Sequence, residues 1–135
     1  MTRFLLDTGI ASDYINRRHG VYELARVEVT KGNVVGIGLP VLAELTAGIE
    51  HSASRDRNMK SLKVALTALK LWPFDHVAAF DYGVIYAELV RSGRPIGTTD
   101  MMIAAIGRTL PNCIVVSADS DLKVVPRLRV DNWRI

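Results

Sequence analysis

The chain has 135 residues, of which 49% are hydrophobic and 23% charged, and 17 Lys+Arg against 14 Asp+Glu leave a net charge of +3. This is the size of one domain, residues 1–135, with enough apolar residues to exclude a disordered chain. No apolar run approaches the roughly 20 residues that span a bilayer, "MTRFLLD" meets an acid before a signal-peptide core develops, and a single cysteine, Cys113, excludes an internal disulfide, so a cytoplasmic protein is expected.

Residues 3–7 read as a short buried strand. Thr8 is placed to cap a helix in which Ile10, Ala11, Tyr14 and Ile15 recur at helical spacing, and Gly20 closes that region. A second helix covers 21–31 and stops at Lys31-Gly32-Asn33. "VVGIG" is a second strand, weakened by its glycines. Pro40 opens a helix over 40–50, with Val41, Leu42, Leu45 and Ile49 on its apolar face. Residues 53–70 form an amphipathic segment with Arg55, Arg57 and Lys60 on the polar side. "LKLWPF" reads as a third strand, 77–92 as a helix and "SGRPIGTT" as a loop. Asp100 opens a helix to Arg108 that is apolar nearly all round. "CIVVS" is a fourth strand and "LRVDNWRI" a short terminal one. Strands alternating with helices predict an α/β fold: a central, mostly parallel sheet of four to five strands flanked by helices in three layers.

The first strand, "RFLLD", and the fourth, "CIVVSAD", both run into acids. In an open α/β sheet, ligands sit outside the carboxyl ends of the strands, so Asp7 and Asp119 face one crevice if those strands are neighbours. Glu44 has the small residues Ala43, Ala47 and Gly48 as helical neighbours. Asp100 sits at a helix N-terminus, which stabilises an anion. Four crowded carboxylates need a positive partner or they protonate. No Lys or Arg adjoins Asp7 or Asp119 in sequence, so a hard divalent cation, Mg²⁺ or Mn²⁺, is the natural counterion. One cysteine and three scattered histidines disfavour zinc. With its acids gathered in a site, the remaining surface is more basic than the net charge suggests, which suits a polyanionic substrate.

In order, "LLDT", "LPVLAELTAGI", "GRPIGTTDMMIAA", "VVSADSDL" and "VPRLRVDNW" resemble the PIN-domain ribonucleases, and more narrowly the VapC toxins of bacterial toxin–antitoxin pairs. The resemblance covers essentially the whole chain. Carried over, Asp7, Glu44, Asp100 and Asp119 match the acidic quartet of that family. It implies a Mg²⁺-dependent endoribonuclease that leaves a 5′-phosphate and a 3′-hydroxyl. It also implies a homodimer and a small antitoxin partner that covers the site. Asp7 and Asp100 would hold the principal ion, with Asp119 completing that site or supporting a second ion. Glu44 would bind that second ion or orient the attacking water. Ser117 matches a family hydroxyl position and would bond a ligand carboxylate or a phosphate.

Two departures stand out. Many relatives carry Asn two positions after the first acid, where this chain has Gly9, and Asp121 rivals Asp119 as the fourth acid. Arg91, Arg94, Arg55, Arg57 and Lys60 are the basic candidates for holding RNA, with Arg94 and Ser117 as substrate-binding residues. Asp13 and Asp81 are expected to be structural or surface acids, and Trp72 and Trp133 to belong to the core. Gly9 removes the second acid that a haloacid-dehalogenase-like phosphatase needs. The alternative function is a catalytically inactive PIN-like module that binds RNA or protein, against which the complete quartet argues.

Overall fold

Five strands and six helices alternate along the chain in the computed structural model, which describes residues 1–135. The strands are β1 (Arg3–Leu6), β2 (Val34–Gly38), β3 (Lys70–Trp72), β4 (Cys113–Val116) and β5 (Val130–Asp131). The helices are α1 (Thr8–Asn16), α2 (Val21–Thr30), α3 (Leu39–Glu50), α4 (Arg55–Leu66), α5 (His76–Ser92) and α6 (Thr98–Thr109), with a short 3₁₀ turn over Ser120–Val124. All strand pairs are parallel, in the order β3-β2-β1-β4-β5. The sheet is therefore parallel throughout.

Successive residues of β1 point to opposite faces, yet Phe4, Leu5 and Leu6 are all buried. A strand buried on both sides reads as a continuous apolar run rather than an alternation, which is why "FLL" looks as it does. Phe4 meets Trp133 with ring centroids 5.0 Å apart, and one cluster of 27 buried residues, including Trp72 and Trp133, forms the core. Gly36 allows β2 to lie in the sheet interior: a Cβ there would come within 2.2 Å of the Lys70 carbonyl on β3. Glycine thus permits the close approach instead of weakening the strand.

Several boundaries move. Asp7, not Thr8, caps α1: its carboxylate accepts from the Ile10 N–H at 2.9 Å, and Thr8 is the first helical residue. The third strand keeps only Lys70–Trp72, because Pro73 has no N–H to offer the ladder. The terminal strand shortens to Val130–Asp131. Helix α6 begins at Thr98, so Thr98 and Thr99 leave the expected loop and Asp100 is the third helical residue, still within the first turn. The first turn of α6 keeps Asp100 near the positive end of the helix dipole.

The strand order fixes where a site belongs. From β1 the chain builds outward to β2 and β3, then returns to β4 on the other side of β1. The switch point lies between β1 and β4, where the register sets Leu6 opposite Val116 and the Asp7 N–H bonds the Val116 carbonyl at 3.0 Å. A crevice opens at such a point.

Candidate active site

Asp7, Glu44, Asp100 and Asp119 all line one crevice of about 600 Å³ at the carboxyl end of the sheet. They arrive from the end of β1, from α3, from α6 and from the turn after β4. Thr8, Gly9, Thr98, Thr99 and Arg134 complete the polar wall.

Asp7 is buried, and burial pushes its carboxyl above the ordinary range. The Ser117 hydroxyl, the Ile10 N–H and the Arg134 guanidinium pull it back, while Asp119 pushes it further up. Ser117 is fully buried beside it and also accepts from the Asp119 N–H at 3.0 Å. Its hydroxyl proton has two acceptors, the Asp7 carboxylate and the Asp119 carbonyl at 3.4 Å. The charged acceptor makes the stronger bond. Ser117 thus links Asp7 to the turn that carries Asp119.

Glu44 is exposed on α3, and its Oε1 accepts from the Thr8 hydroxyl. The residue after Asp7 therefore holds the acid from α3. Asp119 caps the 3₁₀ turn by accepting from the Asp121 N–H at 2.9 Å. One oxygen each of Asp100, Asp119 and Asp121 lie within 4.8 Å of one another. The two candidate fourth acids are thus both present, Asp119 on the crevice wall and Asp121 at its side. Asp7 and Glu44 stand outside that tight trio.

Asp100 registers the crowding. Its carboxyl is pushed up to about 6, first by burial and then by the charges of Asp7, Asp119, Asp121 and Glu44. The cation that sequence adjacency missed is Arg134, brought into the crevice by the fold. Part of its charge is spent on Asp13, whose carboxylate accepts from Nε at 2.6 Å. Asp13 is therefore a buried structural acid. One shared guanidinium against five acids leaves the crevice negative. The donor set is all oxygen, which fits a hard divalent cation such as Mg²⁺ or Mn²⁺.

The basic candidates are dispersed. Arg94 is exposed between α5 and α6 and lies outside the crevice lining, as does exposed Arg91. Arg55 is bound by Glu50 and Asp56. Arg57 lines an adjoining groove of about 800 Å³ with Arg18, and that groove shares Thr8, Gly9 and Glu44 with the crevice. By local pattern Thr8 is a cap, Thr98 and Thr99 belong to a loop, and Arg134 to a strand. Nothing in local periodicity marks a residue 127 positions from Asp7 as its neighbour.

A fully parallel sheet with carboxylates gathered at its switch point defines an α/β protein with a cation-seeking acidic crevice. The chain belongs to the PIN-domain family: the PIN domain matches residues 4–128. It is 34% identical over 134 residues to the tRNA(fMet)-specific endonuclease VapC of Shigella flexneri, covering 98% of this chain and 99% of that one. It is 30% identical over 130 residues to Ribonuclease VapC2 of Rickettsia felis, covering 96% and 97%. Among solved structures, VapBC2 from Rickettsia felis bound to a DNA fragment from its promoter superposes with a TM-score of 0.90 at 29% identity, covering 98% of this chain and 99% of the other.

Proposed function

We propose that this chain is a metal-dependent endoribonuclease that hydrolyses RNA phosphodiester bonds and serves as the toxin of a VapBC-type toxin–antitoxin pair. The observation that carries the reading is the meeting of Asp7, Glu44, Asp100 and Asp119 in one crevice of a PIN-domain chain. The names of the similar proteins, a ribonuclease and a tRNA endonuclease, support the activity. The VapBC complex among the structural neighbours supports an antitoxin partner. The reading also includes a homodimer and a cytoplasmic location; no helix is long and apolar enough to cross a membrane.

Mg²⁺, with Mn²⁺ as the alternative, supplies an activated water when bound and neutralises charge that develops on the phosphate. Asp100 and Asp119 would hold it, with Asp121 as the third oxygen donor of their trio. Asp7 adds a buried carboxylate whose orientation is set by the Ile10 N–H and the Ser117 hydroxyl. Glu44, fixed through Thr8, orients the attacking water. Arg18 and Arg57 in the adjoining groove hold the RNA backbone beside the cut. Arg94 has no role at the cut in this reading.

The test is incubation of the antitoxin-free chain with initiator tRNA and with total RNA, in Mg²⁺ or in EDTA. Discrete cuts that need the metal support the reading. Intact RNA under both conditions, with metal binding shown separately, overturns it in favour of an inactive binding module.

A further inference from the structure

Arg134 is the only cation on the crevice wall. Its placement is built rather than incidental. On one side of it Trp133 is buried against Phe4, and on the other the Ile135 N–H donates to the His19 carbonyl at 3.0 Å. Its own N–H donates to Asn132 Oδ1 at 3.0 Å, so the backbone around it is tied down on both sides. Asp13, 4% exposed, accepts a hydrogen bond from Nε at 2.6 Å and anchors the guanidinium. The Nη groups then have no acceptor in the protein.

Gly9 makes the room. A Cβ at that position would lie 3.6 Å from Arg134 Nη2 and 3.8 Å from Asp7 Oδ1. A longer side chain would fill the space between the guanidinium and the first acid. The bare glycine leaves Nη2, which bonds no protein acceptor, uncovered on a crevice wall lined by carboxylates.

A cation that served only as a counterion to the acids would spend its donors on them. Arg134 gives one to Asp13, which lies outside the crevice lining, and its Nη groups bond none of the crevice acids. A planar fork of donors matches two oxygens of a phosphodiester. Resting on the proposed ribonuclease activity, we infer that Arg134 is a substrate-binding residue that grips the RNA phosphate at the crevice, with Asp13 as its positioning residue and Gly9 as the gap that admits it.

The test uses Arg134→Gln, which removes the charge but retains a donor for Asp13, and the pair Asp13→Asn/Arg134→Gln, which removes both charges together. The pair serves as the folding control, because it leaves no buried unpaired carboxylate. Three measurements are made on the full chain: Mn²⁺-induced thermal stabilisation, RNA cleavage, and RNA binding at several salt concentrations in the cleavage-inactive Asp100→Asn background. Loss of one donor to developing charge lowers turnover on the order of 10²-fold. Loss of one phosphate contact to single-stranded RNA flattens the dependence of log K on log salt by about 0.7.

The expected result is that either variant cleaves roughly 10²-fold more slowly, has the flatter salt slope, and keeps its Mn²⁺ response. Unchanged cleavage in the folded pair overturns the inference, and so does an unchanged salt slope. Loss of the Mn²⁺ response also overturns it, because Arg134 would then be organising the acids. If the wild type itself does not cut RNA, the ribonuclease reading fails first and takes this inference with it; a wild type that cuts beside an equally active variant leaves that reading standing and removes only the role of Arg134.

Discussion

The Thr8 hydroxyl donates to Glu44 Oε1, so the residue next to the buried acid that follows β1 fixes the exposed acid of α3. The contact spans 36 positions of sequence and joins two walls of one crevice. Thr8→Val keeps the β-branched shape and removes the donor. Glu44 is then free to rotate. Cleavage is expected to fall by less than the roughly 10²-fold lower bound for losing an acid–base group outright, because Glu44 itself remains, while Mn²⁺ binding by calorimetry stays close to wild type. An unchanged rate would remove Glu44 orientation from the mechanism.

Asp7 has two opposed roles. As a cap it stabilises α1, and as a buried carboxylate pushed upward by burial it costs stability when ionised. Asn keeps a capping oxygen and removes the charge; Ala removes both. In the absence of metal, Asp7→Asn is expected to melt higher than wild type. Asp7→Ala is expected to fall below Asp7→Asn by about 1 kcal/mol, the value of a lost cap. Both abolish cleavage. Urea titrations of the three proteins in EDTA check the order.

The pH dependence follows from Asp100, whose carboxyl is pushed up to about 6 from an ordinary 3.8. The folded, metal-free chain binds this proton more tightly than the unfolded chain. The resulting stability is fully present below about 3.8 and is lost as the pH rises through about 6. Metal needs the ionised form, so ion binding runs the other way. Mg²⁺-induced stabilisation is expected to be large at pH 7.5 and to fade below about 6. Melting curves with Mg²⁺ and with EDTA across that range, compared with Asp100→Asn, isolate the contribution. The variant should lose the part of the pH step that Asp100 contributes in EDTA, leaving that of Asp7, whose carboxyl is also held above its ordinary range by burial.

Away from the crevice, Arg108 is the buried charge that holds α6 to α5. Its side chain is 8% exposed and pairs with Asp81 at 2.8 Å and Glu88 at 2.9 Å. The second oxygen of Asp81 is buried with no partner, so this acid depends on its one ion pair. Removing one partner of a buried pair costs about 3–5 kcal/mol. Arg108→Met is therefore expected to lower the unfolding free energy by that order. Any variant that remains folded should retain Mn²⁺ binding. Replacing Asp81 and Arg108 together with apolar residues should recover much of the loss.

The sequence exposed the acids because each ends or opens an apolar element. "FLLD" and "VVSAD" are strands buried on both faces that halt at a charge, and Asp100 precedes an apolar helix; Glu44 was marked less directly, by its small neighbours. Their meeting followed from the strand order, since β1 and β4 are neighbours at the switch point. Thr8 looks like the cap because hydroxyl and carboxylate caps are alike in sequence; the carboxylate, one position earlier, makes the bond. Asp100 shifted to the third helical position because Thr98 and Thr99 read as turn residues, although both are helical. Arg134 was invisible because it belongs to a tail outside any strand or helix, held by Trp133 and by a bond from Ile135. Tertiary packing, rather than periodicity, delivers that charge.

The most direct measurement maps the ends produced when antitoxin-free wild type and Asp7→Asn are incubated with total RNA, in Mg²⁺ and then in EDTA. A metal-dependent ribonuclease built on the four acids yields discrete cuts with 5′-phosphate ends, present only with the metal and absent in Asp7→Asn. Cuts that persist in EDTA, or that Asp7→Asn makes as fast as wild type, would contradict that assignment.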